Sequence, residues 1–149
     1  MTQVLVIAQF LAVIATALFA GAAVYINFVE HPARMGCSTE IAATVWAPSY
    51  KRATVMQASL AIVGGAAGVA SCLLGAGFMW LVASVFILAV VPVTLFVIFP
   101  TNHELLATGR DLSSPETRAL LVKWGQLHAI RSALSFVATV MFVWLAVVA

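Results

Sequence analysis

Four long apolar stretches dominate the chain: Val4 to Val29, Ala53 to Leu74, Phe78 to Phe99 and Trp124 to Val148. Each reaches the roughly 20 residues that a helix needs to cross a bilayer's hydrocarbon core. Only the last holds a Lys, Arg, Asp or Glu, namely Arg131 near its start. Strands of a membrane barrel would instead alternate in polarity over segments of about ten residues. The pattern predicts an all-α, four-transmembrane-helix bundle forming a single membrane domain over 1–149, with spans at about 4–29, 53–74, 78–99 and 124–148. Gly75–Ala76–Gly77 alone separates the second and third spans, which predicts an antiparallel hairpin. The N-terminal stretch lacks a basic leader and exceeds a normal signal-peptide core, so it is expected to stay as a permanent helix.

The two longer connections predict short interfacial helices. In the first, Ser38 and Thr39 are helix-starting candidates ahead of Ile41, Val45 and Trp46, and Trp favours the membrane–water boundary. In the second, Ser114–Pro115–Glu116 combines a capping hydroxyl, a first-turn proline and an acid at the positive end of the helix dipole. From Pro115 nothing breaks the helical pattern, so the fourth helix is expected to project beyond the bilayer. Pro92, mid-span, should kink the third helix and widen a cavity.

Composition agrees: 64% of the residues are apolar and 8% charged, against nearer half and a quarter in soluble domains. A net charge of +2 is too small for a nucleic-acid footprint. Its distribution says more. Threading four spans places all seven basic residues, all five acids and all three histidines on or near one membrane side. The positive-inside bias makes that side cytoplasmic, puts both termini outside and predicts a multi-pass protein of the cytoplasmic membrane. Cys37 and Cys72 fall at opposite ends of the bundle, too far apart for a disulfide.

Polar groups at membrane depth are costly and normally face the bundle interior. Asn27 and His31 share a face of the first helix, with Tyr25 and Glu30 nearby. Tyr50, Thr54 and Gln57 form a stripe behind Lys51 and Arg52, while Pro100–Thr101–Asn102–His103–Glu104 ends the third span. Trp124, His128 and Arg131 follow i, i+4, i+7 spacing on the fourth. All four helices can thus turn polar groups toward one cavity. Lys51 and Arg52 also suit interface anchoring, Arg131 could snorkel, and His31 could cap its own helix. Gly64 and Gly68 with Ala61 form a small-residue stripe, suited to internal packing or to a homo-oligomer seam.

Imidazole and carboxylate ligands suit iron, copper or zinc, so His31, His103, His128 and Glu104 are an alternative transition-metal set for Fe or Cu. No HxxxH, HExxH or CxxC spacing supports it, and no deep axial pair suggests haem.

Three motifs, His31–Pro32–Ala33, Pro100–Thr101–Asn102 with Leu105, and Trp124-x3-His128-x2-Arg131, occur in order along nearly the whole chain. Together they resemble the DUF1772 family of integral membrane proteins, whose characterised members are anthrone oxygenases. The resemblance implies a membrane-embedded monooxygenase that uses O2 on an electron-rich hydrophobic aromatic such as an anthrone-like phenol. It implies no flavin or haem and no required cofactor. His128 or His103 would be the base, Arg131 and Asn102 would stabilise the oxyanion, and His31 would orient substrate or relay a proton. Trp124, Asn27, Tyr50, Gln57 and Lys51 would bind substrate.

Two further readings use the same residues. A non-enzymatic accessory subunit or lipid-binding protein would need no enclosed cavity, whereas an enzyme needs an apolar pocket lined by histidine nitrogen. Proton-coupled transport is disfavoured because the polar cluster has no counterpart in the outer half. A metal-dependent membrane oxidase remains the metal-bound variant of the enzyme reading. The sequence names no natural substrate, metal or oligomeric state.

Overall fold

The computed structural model describes residues 2–148; Met1 and Ala149, the ends of the predicted domain, lie outside the described residues. Four helices are long and apolar enough to cross a membrane: α1 (Gln3–Met35), α2 (Thr39–Ala76), α3 (Phe78–Leu105) and α4 (Pro115–Val147). Each packs against its chain neighbours, and α4 closes the ring against α1. The molecule is therefore an up-and-down bundle with a loop end (residues 36–38 and 106–114) and a hairpin end at Gly75–Gly77. Gly75 and Gly77 adopt φ of 94° and 103°, values that side chains beyond glycine resist. The outward faces carry Phe10, Leu18, Phe28, Leu73 and Phe96, as expected of a multi-pass membrane protein.

The helix starts follow their capping residues. Ser38 accepts from Ile41 N, and Ser114 from Thr117 N, each satisfying an otherwise orphaned amide. The lengths differ from expectation. The helix predicted after Ser38 forms, but it is not separate: it passes through Pro48 into the second span, giving one helix of 38 residues. In the second connection, residues 106–114 form turns, while Pro100–Leu105 prolongs α3. The short interfacial helices are thus the ends of spanning helices. Continuing a helix saves the cost of nucleating a new one, and this gain exceeds the single hydrogen bond lost at Pro48.

Two widened turns have a common cause. Pro32 and Pro100 lack the N–H that would bond the carbonyls of Phe28 and Phe96. These carbonyls fall inside the wide turns Ile26–Glu30 and Val93–Ile98, where the helix reconnects with longer bonding steps. Pro92 similarly leaves the Leu88 carbonyl without its usual donor, and α3 is interrupted at Ala89.

Gly64, Gly65 and Gly68 set the helix spacing. A Cβ on Gly64 would meet Thr16 Oγ1 at 2.5 Å, one on Gly65 would meet Leu88 at 2.4 Å, and one on Gly68 would meet Ser84 Oγ at 2.2 Å. Of the two uses expected of this stripe the structure shows internal packing: the Gly64/Gly68 face lies inside the subunit, where it brings α2 against α1 and α3. Two apolar clusters result. One, toward the hairpin end, includes Phe19, Trp80, Ile87 and Phe142; the other, toward the loop end, includes Ile26, Trp46, Ile98, Leu121 and Trp124. A polar layer lies between them.

Candidate functional site

His128 and Arg131 lie three residues apart on α4, so both point into this layer. They are 1% and 7% exposed. Asn27, in the wide turn of α1, meets His128 across the bundle. Its Nδ2 donates to the Gly125 carbonyl at 2.9 Å, which fixes the amide's orientation because a carbonyl can only accept. Asn27 Oδ1 therefore accepts, from His128 Nδ1 at 2.7 Å and from Ser132 Oγ at 2.6 Å. A neutral His128 must then carry its proton on Nδ1, leaving a lone pair on Nε2. Among the described residues no protein group bonds Nε2.

Arg131 extends toward α2, donating from Nη2 to Gln57 Oε1 at 2.6 Å, and its guanidinium carbon lies 5.4 Å from the Phe19 ring centroid. The two ion pairs among the described residues are Arg34–Glu30 and Arg110–Glu104. Arg131 thus sits buried in the membrane with a neutral amide and a ring face for company, and without a carboxylate.

A cavity of about 30 Å³ opens here, lined in part by Trp46, Tyr50, Gln57, Trp124, His128 and Arg131. Five of the residues in its wall hold a buried N–H with no protein acceptor: Arg34 Nε, Trp46 Nε1, Gln57 Nε2, Trp124 Nε1 and Arg131 Nε. Buried polar groups are normally paired, so these five orphaned donors, beside one free imidazole nitrogen and the Glu30–Arg34 pair, make this layer unusually short of acceptors. Thr54, Gln57 and Arg131 also border a second, mostly apolar cavity of about 140 Å³ between α2 and α3.

The other sequence candidates are placed as follows. Trp124 is 5% exposed and stacks on His128 with centroids 4.9 Å apart, while meeting Trp46 edge-on and His31 at a tilt. Its ring faces protein partners and steadies the imidazole. Tyr50 stacks on Trp46 at 5.0 Å. His31 donates from Nε2 to the Leu121 carbonyl at 3.1 Å and so ties α1 to α4 instead of capping its own helix. The ring fits because residue 125 is glycine: a Cβ there would stand 2.6 Å from His31 Cδ2 and Nε2.

Asn102 is fully buried with both amide atoms unpartnered, yet it borders a different recess with Tyr50, Phe99 and His103. His103 is exposed there, Glu104 is exposed and bonds Arg110, and Lys51 is exposed and outside the cavity wall. The structure does not bring His31, His103, His128 and Glu104 together: among the described residues no three His, Cys, Asp or Glu side chains gather closely enough to hold a metal ion. Phe19, Ser132 and Gly125 were not singled out from sequence. Ser132 was within reach, since it lies one turn beyond His128.

A four-span bundle that buries a histidine, an arginine and several unpaired N–H donors in one polar layer defines a small multi-pass membrane protein. The chain belongs to the anthrone oxygenase family, whose profile matches residues 46–141. Two relatives are anthrone oxygenase tpcL of Aspergillus fumigatus, 37% identical over 70 residues, and anthrone oxygenase nsrD of Aspergillus novofumigatus, 41% identical over 56 residues. The first alignment covers 45% of this chain and 44% of the relative, the second 36% and 35%. The chain thus spans less than half the length of either relative. No solved structure matches it.

Proposed function

We propose that the protein is an oxygenase that takes an anthrone-like, electron-rich polycyclic phenol as its anion and lets it react with O2. The observation that carries this reading is Arg131, buried without a counter-ion three residues from His128, whose Nε2 lacks a partner, and bordering the roomier apolar cavity between α2 and α3. An anthrone methylene is acidic because its carbanion is an aromatic enolate. His128 Nε2 is the base that takes this C–H proton, and the Asn27 bond holds the imidazole in the required tautomer. Arg131 and Gln57 Nε2 bind the enolate oxygen, stabilising the charge as it develops at a buried, weakly screened position.

The rest of the reaction balances without a further reductant. The enolate passes an electron to O2, the resulting pair combines at the former methylene carbon, and protonation gives a hydroperoxide. Loss of water leaves the new carbonyl. A CH2 becomes C=O, one oxygen atom enters product and the other leaves as water, so the substrate supplies all four electrons. The chain's own groups need only supply a base, an anion cradle and exclusion of water. The loop end, which carries the charged residues, is the cytoplasmic side in this reading.

The test is O2 uptake and quinone formation by purified protein in nanodiscs with 1,8-dihydroxyanthrone. Turnover lost in His128→Ala and Arg131→Gln supports the reading; equal rates in the wild type and both variants would overturn it.

A further inference from the structure

The small cavity beside His128 cannot hold a polycycle, and its mouth at the loop end is polar, bordered by Glu30, Arg34 and Ser49. The second cavity is the reverse. Its walls are Phe19, Ala58, Ala61, Val90, Val91 and Leu95, with Thr54, Thr94, Gln57 and Arg131 as its polar members. Ala58, Val91 and Leu95 are exposed on the bundle's outer surface, midway along α2 and α3. Arg131 and Gln57 are buried at its inner end.

The reason for a gap at this level is in the sequence. Toward the hairpin, Gly65 and Gly68 let α2 press against Leu88 and Ser84 of α3. Beyond Leu88 that contact loosens: α3 breaks at Ala89, Pro92 follows, and the helix widens over Val93–Ile98. Thr94 Oγ1 bonds the Val90 carbonyl at 2.7 Å, which holds this irregular turn and turns its polarity inward. Opposite it, α2 offers Ala58 and Ala61, too small to fill the space.

We infer that the groove between α2 and α3 is a lateral entrance, through which a flat aromatic passes from the bilayer core and lodges with its oxygen on Arg131 and Gln57. The identity of this guest rests on the oxygenase reading. Charge complementarity selects the groove: its inner end holds a guanidinium without a counter-ion, which an enolate or phenolate oxygen would neutralise. The larger groove between α1 and α4, lined by Val24, Phe28, Ala133 and Phe136, lacks that feature. Its polar floor, Asn27 and Ser132, is already bonded internally. A neutral polycycle dissolved in lipid therefore meets an apolar path that ends at a guanidinium able to hold its anion.

The experiment is anaerobic binding of 1,8-dihydroxyanthrone to the full chain in nanodiscs, read from the visible absorption of its anion. Ala58→Phe, which narrows the groove, should weaken binding by about tenfold or more, and Val91→Trp should do the same. Ala133→Phe, in the opposite groove, should bind as the wild type does. Unchanged affinity in both narrowing variants, absence of wild-type binding, or loss confined to Ala133→Phe would overturn the entrance. Binding that responds to Ala58→Phe without later O2 uptake leaves the entrance standing and removes the oxygenase reading. O2 uptake indifferent to Ala58→Phe does the opposite.

Discussion

Arg131 and Gln57 meet across the bundle, Nη2 to Oε1 at 2.6 Å, with no carboxylate among the described residues within ion-pairing distance of the guanidinium. A buried charge held by a neutral amide is poorly compensated. Evolution toward stability alone would place an apolar residue there, so the arrangement argues for a ligand that carries the missing charge.

The first prediction separates function from stability at this position. Arg131→Met should keep or raise the melting temperature, because it removes an unpaired buried cation. It should lower turnover by roughly 10²- to 10³-fold, the usual cost of removing a transition-state charge stabiliser. Thermal unfolding and O2 uptake on the same preparation read both.

Asn27 should matter through His128. In Asn27→Ala the imidazole loses its acceptor and Ser132 its partner, so kcat should fall by about 10²-fold with a smaller change in KM. Nitrogen NMR of labelled His128 should show the Nδ1–H form in wild type and a mixture of tautomers in the variant.

Gly125→Ala tests the His31 contact. The added methyl would stand 2.6 Å from the ring, and such overpacking typically costs about 1–3 kcal/mol. Combining it with His31→Ala should recover part of the loss. That non-additivity, measured by a double-mutant cycle, would show that the two residues share one space.

The connection between α3 and α4 carries a pH-dependent element. Hydrogen bonds from the Ser113 hydroxyl and amide hold the Asp111 carboxyl below its ordinary value of 3.8. A depressed carboxyl stabilises the fold above its unfolded value, and this contribution disappears as the pH falls through the lower folded value. Asp111→Asn should therefore flatten the acid limb of the melting-temperature profile below about pH 4 and leave neutral pH almost unchanged. The group is fully exposed, so the effect is small.

Histidines on different helices should be unequal. His128→Ala should abolish turnover, while His103→Ala, at an exposed position outside the cavity wall, should retain it. Comparable losses would show that both imidazoles serve the reaction.

Much of this architecture is legible in the sequence. The four apolar runs, the Gly75–Gly77 hairpin and the caps Ser38 and Ser114 are local signals, and the structure follows them. The passage of α2 through Pro48 and of α1 through Pro32 is not local: proline predicts a stop, and the neighbouring helices override it. The site divides the same way. Spacing places His128 and Arg131 on one face of α4, but it cannot show which partner helix that face meets, nor that Asn27 bonds the histidine across the bundle. Nor does sharing a membrane level make residues converge. Successive helical residues point about 100° apart, so burying Asn102 turns His103 outward. The orphaned indole N–H groups of Trp46 and Trp124 depend on what surrounds them, which no spacing reveals.

The most direct measurement of the central claim is anaerobic titration of wild type, His128→Ala and Arg131→Gln with 1,8-dihydroxyanthrone, followed by admission of O2. The account predicts anion absorption in the wild type and its decay to quinone with one O2 consumed per substrate. Both variants should lack the anion and the uptake. Full anion formation and quinone yield in either variant would contradict the account.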